Sequence, residues 1–277
     1  MADIYGSYFE YGGMLSCQYG LIIATVNSSR MLKLGGDITG STVFSKAAQK
    51  RYLVGDDMSN SPLSFDVEIV TDDGHILEQP ERRTIEKWLF NKHDYRKLYF
   101  DTDDDCTEDM SELIGGVRKR LYLNCRFVNP EKLEYNGGLV GYKATLEADS
   151  RMFWQDAVEK SFTLNHSGAS AQSVIAVDVD SDIDDYIYPK VTFTLGSTGG
   201  EVIFINNSDD STRVTKFVEL SANSTIIMKG ELGFISGQNY QKFSTRNFIR
   251  FLDGANNLTI KGDIATIKFE FQNRRNF

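Results

Sequence analysis

The sequence predicts a mainly β protein of two domains, the first of which carries a single helix. Three observations predict it. In most patterned stretches apolar residues recur at every second position, the period of a strand with one wet and one buried face. One stretch, "QPERRTIEKWLFNK", switches to helical spacing. Between about 165 and 186 the texture turns small and polar ("NHSGASAQ") and then acidic ("VDVDSDIDDY"), and strand patterns resume after it. The 277 residues leave room for two cores, since domains are commonly about 100–200 residues long.

Taken in order, "PLSFDVEIVTD" sets Leu63, Phe65, Val67 and Ile69 on one face and Ser64, Asp66 and Glu68 on the other. The helix follows, with Pro80 at its first position, a place proline tolerates, and Ile85, Trp88 and Leu89 at i, i+3, i+4. A helix of about three turns among strands lies against a sheet and buries its tryptophan there. "RLYLNCRFV" alternates Leu121, Leu123, Cys125 and Phe127 inward. The boundary falls in the polar interval: residues 1–165 form the first domain, and 166–277 a linker followed by a compact all-β sandwich. That sandwich takes in "YPKVTFTL", where Val191, Phe193 and Leu195 alternate, and "ATIKFEF", with Ala265, Ile267, Phe269 and Phe271 on one face. In "FIRFLDGANNLTIKGD", Asp253-Gly254 supplies a turn between Phe248 and the alternating pair Leu258 and Ile260.

Composition excludes several classes. A net charge of −9 speaks against capture of nucleic acid by a basic surface. The start, "MADIYGSYFEYGG", has no basic residue and no apolar core of a secretory signal, and "GLIIATV" is too short to span a bilayer. Cys17, Cys106 and Cys125 form no CxxC and cannot all pair, so synthesis in a reducing cytoplasm is the simpler expectation.

The sharpest chemical candidate is "DTDDDCTEDMSE". Counted as a calcium loop, its ligand positions are Asp101, Asp103, Asp105, Thr107, Asp109 and Glu112. Cys106 stands where glycine makes the sharp turn, Glu108 occupies the apolar position, and the preceding "RKLYF" reads as a strand. A solvated acidic loop is the expectation. A second acidic run, Asp178, Asp180, Asp182, Asp184 and Asp185, has Pro189 at its twelfth place and suits a solvated strand or linker. His75, His93 and His166 are scattered, with no HExxH pair for zinc. Phosphate-binding glycine loops and a nucleophile elbow are absent from the sequence. A glycosidase pair would need two placed carboxylates, and no spacing singles one out. Trp88 and Trp154 read as core, and the second domain shows no aromatic cluster for stacking sugars. No catalytic residue, metal site or cofactor is expected.

The order of the motifs carries a resemblance. An aromatic-Gly opening leads into a "GLII" strand in "FEYGGMLSCQYGLIIATV". "LSFDVEIV" follows, then Arg83, Ile85, Trp88 and Leu89 in "RRTIEKWLF", then "RKLYFD". "RMFWQD" closes the first part, "YPKVTFTL" opens the second, and the glycine- and asparagine-bearing turn with "IATIKFEFQNRR" ends it. Collinear over nearly the whole chain, these resemble the distal tail protein (Dit) family of long-tailed bacteriophages.

The resemblance implies a β-sandwich or barrel-like first domain forming the belt of a hexameric ring, and galectin-like second domains projecting outward. It implies a virion protein at the tail tip, made in the host cytoplasm and without catalysis. The ring would join the tail tube to the tip hub and carry receptor-binding or baseplate proteins, with no membrane contact. DNA would pass through its channel without specific contact, a passage an acidic chain suits because it repels phosphate. The alternative expectation is a carbohydrate-binding module that attaches to the host surface.

Overall fold

A computed structural model describes residues 8–26, 38–45, 50–58, 62–91, 94–99, 112–114, 117–182, 185–210 and 212–275. The chain divides into two compact units, Met1–Trp154 with Asn276–Phe277, and Gln155–Arg275.

The first unit runs β1 (Glu10–Tyr11), β2 (Met14–Leu15), β3 (Leu21–Val26), β4 (Ile38–Ser45), β5 (Lys50–Met58), β6 (Ser64–Thr71) and α1 (Gln79–Leu89). It continues with β7 (Arg96–Tyr99), β8 (Glu112–Ile114), β9 (Val117–Lys119), β10 (Leu121–Tyr135), β11 (Gly138–Ala148) and β12 (Phe153–Gln155). Its main sheet is antiparallel in the order β2-β1-β7-β10-β11-β6-β3. Alternation fixes the register, since a one-residue slip would turn every apolar side chain to water. In β6, Phe65, Val67, Ile69 and Thr71 point inward. In β10, Leu123, Cys125 and Phe127 do so, opposite Ala148 and Leu146 of β11. Asn136 and Gly137, both at positive φ (50° and 79°), join β10 to β11 as a two-residue hairpin turn of the type Asn-Gly favours.

The helix begins one residue before Pro80, and its entry is closed by a capping box. The Glu78 backbone N–H donates to Glu81 at 2.8 Å, while the Glu78 side chain accepts from the third residue of the helix. Ile85, Trp88 and Leu89 are buried in the core of this unit, and the charged residues lie on the opposite face.

The second unit contains β13 (Val158–Thr163), β14 (Gln172–Val179), β15 (Lys190–Leu195), β16 (Gly200–Asn206) and β17 (Val214–Leu220). It goes on through β18 (Thr225–Lys229), β19 (Phe234–Ile235), β20 (Gly254–Gly262), β21 (Ile264–Phe271) and β22 (Arg274–Arg275). Two antiparallel sheets, β13-β21-β15-β18-β19 and β14-β20-β16-β17, share one apolar core. Phe193 of one sheet meets Phe204 and Phe217 of the other edge-on, with ring centroids 5.2 and 5.6 Å apart, a geometry aromatic pairs prefer.

One expectation needs correction. The interval 165–186 is not a linker: it holds β14, paired with β20 over its whole length. Val177 and Val179 are buried in the core of the second unit, and β13 also lies in that unit, before residue 165. The small and acidic residues that suggested a linker occupy the wet face of an edge strand and its flanking loops.

Candidate functional site

Trp88 is an anchor of the fold. Its ring stacks on Phe9 (5.8 Å, 10° between planes) and lies 5.4 Å from Tyr19. Its indole N–H donates to the Tyr11 carbonyl at 2.9 Å. One side chain thus ties α1 to β1, and no face of it is offered to a ligand. Trp154 is half-buried and donates to the Ser150 hydroxyl at 3.1 Å. Cys125 is fully buried, and burial pushes its thiol pKa well above the ordinary value, which leaves it an inert core residue. Cys17 is half-buried.

Of the calcium-like stretch, Asp101–Ser111 lies outside the described residues, and Glu112 opens β8. The second acidic run is placed, except Asp184, which also lies outside. Three of its carboxylates, those of Asp180, Asp182 and Asp185, pair with the C-terminal strand. The buried Arg275 guanidinium reaches Asp180 at 2.7 Å and Asp182 at 3.2 Å, and Arg274 reaches Asp185 at 3.1 Å. The hydrogen bond from Arg275 holds the Asp180 carboxyl below the usual range. Asp180, Asp182 and Asp185 form an ion-pair seam of the second unit.

Of the histidines, His93 lies outside the described residues. His75 sits beside Asp72 and Asp73, whose donor atoms lie within 4.8 Å of one another and of its ring. Each group there already has a partner within the protein. Asp73 accepts the His75 backbone N–H at 2.9 Å and pairs with its ring nitrogen at 2.6 Å, and Asp72 accepts the Tyr8 hydroxyl. His166 donates through Nδ1 to the Gly262 carbonyl at 3.0 Å and pairs through Nε2 with the Ser173 hydroxyl at 2.6 Å. It ties the start of β14 to the end of β20.

Sequence reasoning missed the polar locks of the sandwich. Asp263, fully buried, accepts the backbone N–H groups of Thr198 (2.6 Å), Gly199 (2.8 Å) and Gly168 (3.4 Å). Burial acts to raise its pKa, but these donors outweigh it and hold the carboxyl below the ordinary range. Asn256, also fully buried, accepts from Asn206 Nδ2 at 2.8 Å and from the Leu252 N–H at 2.9 Å, and donates to the carbonyls of Leu252 and Gly254. Gly254 sits at φ 85°, as the Asp-Gly pair predicts. Arg250 makes a two-pronged contact with Asp209 (2.7 and 3.1 Å) and stacks 3.5 Å from the Tyr186 ring centre. The one available signal was the pair Asn256-Asn257 after the turn, since asparagine often bonds to its own local backbone.

Two aromatics of the second unit are half-exposed, which the strand patterns did not show: Phe234, with Lys229 5.8 Å from its ring centre, and Tyr240, with Arg246 at 4.1 Å. Among the described residues no nucleophile, base and orienting group converge in a cleft, and no helix is long and apolar enough to cross a membrane. What the first unit does offer is unshared backbone. β4 pairs with β5, and β8 with β9, as two-stranded ribbons joined to no other strand among the described residues.

Comparison with known proteins agrees with this picture. A family model described as the N-terminal domain of phage tail protein matches residues 4–150, and one described as the phage tail C-terminal domain matches 157–271. No curated protein matches in sequence. Among solved structures, the Dit protein of phage SPP1 superposes with a TM-score of 0.63 at 10% identity, covering 97% of this chain and 98% of that one. It is described as a paradigm of the hub adsorption apparatus in phages infecting Gram-positive hosts. Two structures of the activated baseplate of phage P2, with calcium and with strontium, contain a chain that superposes at 0.51 and 10–11% identity over the same shares. With more than half its length matched by the N-terminal model and most of the remainder by its C-terminal counterpart, the chain belongs to the phage tail protein family, and its mainly β two-domain fold is that of a Dit-like tail protein.

Proposed function

We propose that this tail protein is the structural adaptor of the tail tip: a closed ring, hexameric, that joins the tail tube to the tip hub and carries receptor-binding or baseplate proteins on its outside. The observation that supports it most is the superposition, over 97% of this chain, on a protein described as a paradigm of the hub adsorption apparatus. The ribbons β4–β5 and β8–β9 add a physical reason. An isolated two-stranded hairpin is marginal in water, and its open edges gain most by pairing with another chain. A heterologous contact of this kind repeats around an axis and closes when the rotation divides a full turn. We assign assembly to the first unit and outward display to the second, with catalysis in neither.

The test is direct imaging. Full-length protein at high concentration, alone and with tube protein, is examined by negative-stain microscopy, and lysine cross-links are mapped by mass spectrometry. Six-fold rings with inter-copy links within the first unit are expected. Monomers under every condition, tube protein included, would overturn the ring. Links confined to the second unit would overturn the assignment of assembly to the first.

A further inference from the structure

Among the described residues, the second unit leaves one sheet edge unguarded. Of its four edge strands, β17 is covered by the segment at 242–245: Val218 N–H donates to the Lys242 carbonyl and Ser244 N–H to that of Lys216. β19 is only two residues long, and β13 carries Glu159 and Lys160. Short length, charge and cover are the usual ways of blocking an edge. β14, "QSVIAVDV", uses none of them along most of its length. It runs eight residues without a register shift, with no lysine, arginine or proline and one charge, Asp178. Val174 is 66% exposed.

The direction of its backbone groups follows from the register. Gly262 N–H donates to the Ala171 carbonyl, and in an antiparallel ladder such bonded pairs alternate. The odd-numbered residues of β14 therefore bond to β20. The N–H and C=O groups of Gln172, Val174, Ala176 and Asp178 point the other way, with no bonded neighbour on that side among the described residues.

We propose that this edge pairs with β14 of a second copy, antiparallel about a two-fold axis at Ile175, so that two four-stranded sheets become one. The side chains favour this occupant and this register. With Ile175 opposite Ile175, Val174 lies against Ala176 of the other copy, covering the exposed valine. Gln172 lies against Asp178, so that the amide donates to the carboxylate. The two aspartates are thereby kept at opposite ends. A shift of two residues either way sets Val174 opposite Asp178 or leaves Asp178 beyond the paired strand, and loses this match. The pairing is separate from ring closure, which is assigned to the first unit.

Odd-numbered facing residues in this register form the close, non-hydrogen-bonded pairs, where Cα atoms stand about 4.5 Å apart, within disulfide reach. Ile175→Cys in the full-length chain should therefore give an oxidised dimer whose 175–175 disulfide is found by peptide mass spectrometry. Ser173→Cys, which would face Val177, should give no 173–173 link. Adding Ala176→Pro removes an outward N–H and spares the β20 ladder, so the Ile175→Cys dimer should fall at least tenfold with little change in melting temperature. Absence of the 175–175 disulfide at high concentration overturns the proposal. So does an equal yield from Ser173→Cys, which would mean sliding or random collision. A link from residue 175 to a different protein in assembled tails, with none between copies, overturns it in favour of a foreign strand on the same edge.

Discussion

The two units solve the same problem with different chemistry. The first is organised around an aromatic anchor: Trp88 joins α1 to β1 by ring contact with Phe9 and Tyr19 and by one bond to a carbonyl. The second has no helix of that kind. Its sheets meet through Phe193, Phe204 and Phe217, and its loops are pinned by buried polar side chains, Asp263 and Asn256 above all. An apolar anchor holds through area removed from water and tolerates small shifts. A buried carboxylate holds through directed bonds, and its loss leaves their donors unsatisfied. The unit with ribbons on offer for assembly is anchored by apolar area, and the unit proposed for outward display has its loops pinned by directed bonds.

The largest expected effect tests the anchor. Trp88→Ala removes a buried aromatic, a change that costs about 3–5 kcal/mol, and it leaves the Tyr11 carbonyl without its donor. Calorimetry should show separate transitions for two units with separate cores, and this variant should lower only the first unit's. A second-unit transition that falls equally would mean the two cores melt as one, and the comparison would fail.

Asp263→Ala tests the lock. The N–H groups of Thr198 and of the buried Gly199 lose their acceptor, at about 1–3 kcal/mol. The sign of the pH effect follows from the lowered pKa. The folded carboxyl binds its proton less readily than the unfolded one, so its contribution is complete above about pH 4 and is lost as pH falls through the folded value. Urea unfolding of the second unit should separate wild type from variant at neutral pH, and the gap should narrow in acid. A gap that widens on acidification would show that burial, not the backbone donors, sets the pKa.

Strands and helix were legible because their signal is local. "LSFDVEIV", "KVTFTL" and "ATIKFEF" became β6, β15 and β21, and Ile85, Trp88 and Leu89 turned inward together. "YNGG" carried an Asn-Gly hairpin signal that strand-by-strand reading passed over. The misread interval shows the limit. "VIAVDV" alternates as a strand should, but whether its wet face is an edge or a linker depends on β20, some 80 residues away in sequence. The acidic run is of the same kind: its partners, Arg274 and Arg275, stand at the far end of the chain. Asp263 looked like any turn aspartate until three loops met around it.

A matched pair of turn substitutions sharpens the comparison at smaller scale. Gly137 and Gly254 both sit at positive φ, with open space where a Cβ would go. Each change to alanine should cost about 1 kcal/mol through backbone conformation alone. Gly137→Ala should move only the first unit's transition and Gly254→Ala only the second's. A much larger loss at Gly254 would show that Asn256, which bonds the Gly254 carbonyl, depends on that turn for its whole network.

The smallest effect belongs to the C-terminal seam. The Arg275 side chain is almost fully buried, but Asp180 is 71% exposed and Asp182 43%, so water screens both pairs. Breaking them by Arg275→Ala leaves solvated carboxylates and no orphaned charge, and the loss should be no more than about 1 kcal/mol. The sign against pH matches that of Asp263, because Arg275 also lowers the Asp180 pKa: the contribution is present above the ordinary carboxylate range and fades in acid. The response to salt is where the two should part. The Asp180 and Asp182 pairs should weaken between low salt and about 1 M, where the Debye length falls to about 3 Å, whereas bonds to a buried carboxylate should not. Thermal scans of Arg275→Ala and Asp263→Ala across that range settle it. If the Arg275→Ala deficit stays constant with salt, the seam is held by packing of the arginine stem, and Arg275 joins Asp263 and Asn256 as a buried lock instead of forming a screened clasp.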